Sequence, residues 1–508
     1  WRQLIGFAVP LLLGNLLQQL YNTVDSIVVG QFIGSEALAA VSSSNSLINL
    51  IIGMFMGIST GAGVVISQYY GAKAEKKMQQ AVHTAITLCM IGGVILIFVG
   101  ILFSPFILRL MGTPEEVMVN SVIYFRIFFC GSLFNLTYNM AAGILRAVGD
   151  SRRPLYYLCA SSITNIVLDV ALVVLFGMGV EGVAIATVAS QCLSMCLALW
   201  ALTRTEDIYR LDFKKLRLHP LMVKMIMTQG LPAGVQQSII SLSNVIVQAN
   251  INAYGAMAMA GFGSYLKIEG FAQLPMQSFC LAATTFTGQN IGAKRYDRVK
   301  KGMLQNLVIC FLYAGAACIL LYIFAPVLTA IFSEEPEVVR YGTLTMRLVI
   351  PFYMAIPIHQ VLMGTMRGAG KTFVSMMISV GNMCILRMIY INLFVPFFPS
   401  YEAVLLCYPI TWASTATMDI LYAWRGKSRR RIKRGVRYER RISAGGCGHA
   451  GGEGCRPGVQ PGSGMQADER GRKGRGQSHG VPGALPDGIH LRRFVSSGQP
   501  AFGGKKGV

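Results

Sequence analysis

Four residues with side-chain oxygens interrupt stretches that are otherwise apolar: Asp25, Asn165, Asp169 and Thr187. Carboxylate, amide and hydroxyl oxygens gathered at one point suit a Na⁺ ion or a shared proton, and acids placed inside a membrane mark such pathways. Asp25 lies nine residues before Gly34, Asp169 lies eight before Gly177, and Thr187 lies eight after Gly179. If these stretches are helices ending in turns at those glycines, a rise of 1.5 Å per residue sets all three about 12–14 Å below the turns. Asn165 precedes Asp169 by one helical turn and shares its face. The spacing predicts one ion- or proton-binding site built from three helices. The alternative is a polar network that only joins helices by hydrogen bonds.

A second set is scattered: Arg126, Lys267, Glu269, Arg347, His359, Arg387 and Asp419. Lys267 and Glu269 are two residues apart, so they point to different faces of one helix and need not pair. Glu269 is a candidate counter-charge for a cationic substrate. Asn22 and Tyr265 are further candidate substrate contacts, because an aromatic face attracts organic cations. Phe262, Phe271 and Phe279 lie on the same stretch as Tyr265, and the plainer reading of each is packing or lipid contact. Arg126 and Arg347 are expected to snorkel to the membrane interface. His359 is expected to bond a helix backbone, and Arg387 and Asp419 to be packing or interface charges.

Only membrane-spanning helices can position these groups. Of the 508 residues, 53% are hydrophobic and 13% are charged, too few to cover a soluble surface. The apolar blocks reach the roughly 20 residues that cross a bilayer. Twelve spans fit, at about 4–33, 37–69, 81–108, 117–145, 153–177, 180–203, 222–254, 257–288, 301–329, 338–366, 372–396 and 402–424. The first is a span rather than a cleaved signal, since no small-residue cleavage site follows a short apolar core. The chain opens on Trp1, so a few preceding residues are expected.

Loop charge sets the orientation. Even-numbered loops carry Lys73, Lys76 and Lys77, then Arg146, Arg152 and Arg153, then a basic linker from Arg204 to Lys224, then Lys294 to Lys301, then Arg367 and Lys371. Odd loops hold acids, Glu36, Glu115, Glu116, Glu181, Glu334, Glu335, Glu337 and Glu402, with Arg109 and Arg340 as the exceptions. Positive loops stay in the cytoplasm, so both termini are expected there. The net charge of +22 is thus topological and needs no nucleic-acid partner. The twelve cysteines form no CxxC pair, and Cys192 with Cys196 is too little for a metal. From about Gly426 the chain turns rich in Gly, Arg and Pro, a composition that buries no core.

A repeat organises the whole. Pro10 and Asn22 recur as Pro232 and Asn244, and Gln68-Tyr69-Tyr70-Gly71-Ala72-Lys73 recurs as Gln289-Asn290-Ile291-Gly292-Ala293-Lys294. Arg126 recurs as Arg347, and Gly143-Ile144-Leu145-Arg146-Ala147-Val148-Gly149 as Gly364-Thr365-Met366-Arg367-Gly368-Ala369-Gly370, always 221 or 222 residues on. Each repeat has an even number of spans, so the halves share one orientation and a pseudo-two-fold axis along the membrane normal. The expected fold is all-α and integral to the membrane, with twelve transmembrane helices in two pseudo-symmetric six-helix bundles. The expected division is an N-lobe over 1–203, a cytoplasmic linker over 204–221, a C-lobe over 222–425 and a disordered tail over 426–508. The acids break the symmetry, since Val247 stands opposite Asp25, Leu386 beside Arg387 opposite Asp169, and Ile48 opposite Glu269.

Two motifs mislead. Thr365 to Thr372 resembles a phosphate-binding loop but lacks its first glycine, and it matches the turn after the fourth span. Asn135-Leu136-Thr137 is a glycosylation sequon inside a span. No HExxH or GxSxG is present, so an enzyme is not expected.

Over residues 1–425 the chain resembles the bacterial branch of the multidrug and toxic compound extrusion family. The resemblance rests on Pro10, Asn22-Thr23-Val24-Asp25, Gly34, Gln68 with Gly71-Ala72, Gly143 with Arg146 and Gly149-Asp150, Asn165 with Asp169, and Gly288-Gln289 with Gly292-Ala293. It implies a twelve-helix secondary transporter that exports amphiphilic, often cationic organic compounds against inward H⁺ or Na⁺. It also implies that Asp25, Asn165, Asp169 and Thr187 are the coupling residues, with no other cofactor. A C-lobe acid that some members use at the start of the eighth helix is replaced here by Ala258. The implied setting is the bacterial plasma membrane, with lipid and small organic molecules as partners and a monomeric protein. The competing readings are a lipid-linked oligosaccharide flippase of the same superfamily, a membrane glycosyltransferase and a passive channel. The glycosyltransferase would need a large charged loop, and no loop exceeds about twenty residues.

Overall fold

A computed structural model describes residues 1–424 other than 111, 112 and 114; at 26, 35–47, 49–51, 110 and 116 it describes the backbone alone. The basic tail over 426–508 and the side chains of Glu36 and Glu116 lie outside the described residues.

Twelve helices follow one another. The first six are α1 (Arg2–Ile33), α2 (Ser35–Gly71), α3 (Glu75–Leu110), α4 (Glu115–Cys130 continued by Ser132–Val148), α5 (Arg152–Leu175) and α6 (Val180–Arg204). The second six are α7 (Pro220–Asn252), α8 (Ala256–Gly292), α9 (Tyr296–Ile323), α10 (Pro336–Gly368), α11 (Thr372–Phe397) and α12 (Tyr401–Trp424). Among the described residues, nine of these are long and apolar enough to cross a membrane alone. The two limbs of α4, bent by 46° around Gly131, make a tenth. The sequence reading expected twelve such helices, and α7 and α8 are the ones that miss the apolar test. Part of the reason is polarity turned inward. Buried Gln236 and Ser243 on α7, and Ser264, Glu269, Ser278, Thr284 and Thr285 on α8, spend their polarity inside the molecule.

The pseudo-symmetry extends to backbone conformation. Gly34 and Gly255, Lys73 and Lys294, and Gly149 and Gly370 all hold positive φ, and every pair is 221 residues apart. Two lysines in that region are unusual for side-chain-bearing residues. Both close the same turn, after α2 and after α8.

Each bundle has its own apolar core. Ile66, Ile86, Phe125, Phe129 and Leu145 belong to the first, and Phe262, Tyr265, Met346, Tyr353 and Leu405 to the second. The bundles meet along the half nearest the basic loops. There α2 crosses α7 at glycines, where a Cβ on Gly57 would strike Gly234 and one on Gly61 would strike Gly230. Small residues let backbones approach this closely in a membrane, where packing rather than hydrophobicity holds helices together. The chain between α6 and α7 lies on α3: Gln79 Nε2 donates to the Ile208 carbonyl at 2.9 Å, and His83 Nε2 accepts the Asp212 N–H at 3.1 Å. Asp212 itself is held below the usual carboxylate range, first by the Lys214 backbone N–H it accepts.

Candidate functional site

Three of the four predicted coupling residues are deeply buried in the N-terminal bundle. Asp169 is fully buried, Asn165 is 1% and Thr187 6% exposed, and Asp25 is half-buried. α1 delivers Asp25, α5 delivers Asn165 and Asp169, and α6 delivers Thr187. The carboxyl groups of Asp25 and Asp169 lie within hydrogen-bonding reach of each other. Among the described residues, no hydrogen-bond partner meets Asp25 Oδ1, either oxygen of Asp169, either amide atom of Asn165, or Thr187 Oγ1. Immediately after Asp169 the helix widens into a π-helical turn, Val170–Leu175, a distortion common at functional sites.

The consequence is electrostatic. Two ionised carboxylates about 4 Å apart repel by roughly 4 kcal/mol at an effective dielectric near 20. Among the described residues no basic side chain forms an ion pair with either acid, so a shared proton or a small cation would relieve that repulsion. Tyr21 and Tyr124 stand beside both acids, and Tyr124 is 2% exposed. The sequence reading did not single out these tyrosines. The available signal was register: Tyr21 precedes Asp25 by one turn of α1. Asn22, also on α1, is exposed.

The C-terminal bundle handles its polar groups differently. Glu269 is 7% exposed and accepts Gln273 Nε2 at 2.7 Å, with the Tyr265 hydroxyl alongside. Tyr265 is fully buried, so both candidate substrate contacts point into the bundle in this conformation. Arg387, 2% exposed, donates to Asn244 Oδ1 at 2.8 Å and stacks 4.7 Å from the Tyr408 ring. It also contributes a positive charge near Glu269. Lys267 points away, 5.4 Å from the Phe332 ring, and does not pair with Glu269.

His359 departs from expectation. It bonds a side chain rather than a backbone: its Nδ1 lies 2.7 Å from Asp419 Oδ2, and both residues are buried. The contact extends through Ser379 Oγ, 3.5 Å from His359 Nε2, to Gln236 Nε2 at 2.7 Å from that hydroxyl, and to Arg367, whose Nη2 donates to Gln236 Oε1 at 2.8 Å. One chain of contacts therefore links α10, α11, α12 and α7. Residues from four helices, distant in sequence, gave no linear signal. Arg126 donates to buried Ser104 at 3.0 Å, and Arg347 lies 5.9 Å from the Tyr322 ring.

The repeated Gln-x-x-Gly segments join the bundles. Gln68 Nε2 donates to the Gly368 carbonyl at 2.9 Å, and Gln289 Nε2 donates to the Ala147 carbonyl at 2.8 Å. Donors and acceptors are both 221 residues apart, so the two bonds are symmetry mates. A Cβ on Gly71 would run into the Gln289 backbone, and one on Gly292 into the Gln68 backbone. The cleft between the bundles is shut on the basic-loop side.

Comparison with known proteins gives this architecture its family. The MatE family model matches residues 10–171 and again 232–392, one match per repeat. The chain is 33% identical to the probable multidrug resistance protein YoeA of Bacillus subtilis, over 75% of this chain and 84% of that one. It is 25% identical to the probable multidrug resistance protein NorM of Thermotoga maritima, over 74% and 82%. A solved outward-facing multidrug resistance MATE family transporter of the MOP superfamily has the same fold, with a TM-score of 0.78 and 23% identity over 85% of this chain and 95% of its own. The chain belongs to the MatE family, a family of multi-pass membrane transporters and not of enzymes.

Proposed function

We propose that this MatE-family member is a secondary active efflux transporter that exports amphiphilic, cationic organic compounds in exchange for H⁺ or Na⁺. The observation that carries the reading is the pair of facing carboxyl groups, Asp25 and Asp169, with Asn165 and Thr187 beside them and no donor among the described residues. A site that needs a cation or proton to be electrically complete has two states, loaded and empty. Loading favours one packing of the bundles and substrate the other, which is the thermodynamic requirement for exchange. The names of the relatives in Bacillus subtilis and Thermotoga maritima support multidrug resistance as the physiological outcome. The basic loops support a reading in which the closed side of the cleft and both termini are cytoplasmic, in a bacterial plasma membrane. The protein then faces outward as a monomer.

Two measurements test this. In proteoliposomes, an imposed pH or Na⁺ gradient should drive movement of a fluorescent organic cation, and the gradient that works identifies the ion. In an efflux-deficient bacterium, Asp25→Asn should remove drug resistance while the protein stays in the membrane. Undiminished resistance would reject the coupling role.

A further inference from the structure

A cavity of about 90 Å³ lies inside the N-terminal bundle, between α1, α4, α5 and α6. It is far smaller than the roughly 300–1,000 Å³ that holds a drug-sized ligand. One end is formed by Tyr21 and Asn165, each one turn from an acid of the coupling pair. The other end reaches Arg146 and Ser151, at the turn between α4 and α5 on the basic-loop side. Polar groups line it without partners among the described residues: Asn165 Nδ2 and Oδ1, Ser162 Oγ, Gln191 Oε1 and Arg146 Nε. Asn165 and Ser162 are only 1% and 7% exposed. Leaving buried polar atoms unbonded costs free energy, so native proteins satisfy them with water where there is room. Each water needs roughly 10–15 Å³ of such space and two to four polar partners, so several fit here.

We propose that this cavity holds a chain of bound water along which the coupling proton passes between the Asp25–Asp169 pair and the basic-loop side, with Arg146 as the electrostatic plug that stops it leaking. The proposal rests on the coupling reading above and takes the ion to be a proton. Each water along the chain accepts one proton and gives up another, so the net event is one proton leaving the pair and one entering water beyond Arg146. Arg146 is the one charged group in the lining. A fixed guanidinium there disfavours an excess proton at that end while the cleft is shut on the same side. The repeat supplies a control within the molecule. Arg367, the mate of Arg146, is bonded to Gln236, and the Ser379–His359–Asp419 contacts continue from there. The mate arginine thus has a side-chain partner in the second bundle, although its Nε, like that of Arg146, has none among the described residues.

The test uses the full-length protein in proteoliposomes with two readouts. Radiolytic hydroxyl labelling, which reports bound water, should modify Tyr138 and Leu158 in the cavity wall, and Ser162→Leu should suppress that labelling. Passive proton flux, read with an entrapped pH dye and no substrate, should rise about tenfold in Arg146→Gln when the plug's charge is gone. It should stay at the wild-type level in Arg146→Lys, which keeps the charge. Adding Asp25→Asn to Arg146→Gln should return the flux to that level. Absence of labelling in the wild type would make the cavity dry and overturn the proposal. Labelling without the flux increase would overturn the passage and the plug. An increase that survives Asp25→Asn would detach the passage from the acid pair. A wild-type protein driven by Na⁺ and indifferent to pH would overturn the proton as passenger, while the labelling would still report whether the water is there.

Discussion

The two bundles share one repeat and differ in what their buried acids meet. In the second bundle, Asp419, His359, Ser379, Gln236 and Arg367 are placed against one another, and Glu269 accepts from Gln273. In the first, the acids and their neighbours Asn165, Thr187, Ser162 and Gln191 carry atoms without a partner among the described residues. Atoms of the second bundle such as Asp419 Oδ1, Arg367 Nε and Ser375 Oγ also lack a partner among the described residues, so the contrast lies in what the acids meet rather than in whole networks. The same scaffold thus sets its acids against other protein groups in the second bundle and against each other in the first.

That contrast is breakable by mutation. The largest effect on stability should come from the second bundle. His359→Ala leaves Asp419 buried without its partner, a loss of about 3–5 kcal/mol for a broken buried pair; thermal unfolding in detergent would register it. Next, Gly71→Ala and Gly292→Ala insert a methyl group into the facing backbone and should disfavour the closed basic-side contact by about 1–3 kcal/mol. Disulfide cross-linking of cysteines placed in the turns after α2 and α8 should fall accordingly, and equally for the two mates. Gln68→Ala and Gln289→Ala remove one symmetry-related hydrogen bond each, about 1 kcal/mol apiece. Unequal effects would mean that the latch is not symmetric in energy. In the first bundle, Asn165→Ala should change unfolding by less than about 1 kcal/mol, because no protein partner is orphaned, yet it should impair gradient-driven transport. The smallest change is Lys267→Gln, whose contact with the Phe332 ring is worth about 0.5–1 kcal/mol at an exposed site.

The sequence makes the scaffold readable because hydropathy, loop charge and a constant register are properties of the linear chain. Pro10 with Pro232, and Gln68 with Gln289, carry the repeat on their own. The depth of Asp25, Asp169 and Thr187 is also linear, being a distance along a helix from a glycine turn. It led to the place where the two carboxyls meet. Contacts across helices are not linear. Nothing near His359 in the chain points to Asp419, and nothing near Arg387 points to Asn244 or to the Tyr408 ring. The polar character of α7 and α8 is linear too, being a matter of composition, but which of their polar groups turn inward is not. The direction in which Glu269 and Tyr265 turn, into the bundle, is a matter of helix rotation that spacing alone does not set.

The central claim is that the first bundle carries the coupling ion and the second carries structure. The most direct test compares Asp25→Asn with His359→Gln in the same proteoliposome assay, reading movement of a fluorescent organic cation under an imposed ion gradient. The account predicts that Asp25→Asn abolishes the response to the gradient, while His359→Gln, which keeps a polar partner for Asp419, retains it. A gradient response that survives Asp25→Asn but is lost in well-folded His359→Gln would contradict it.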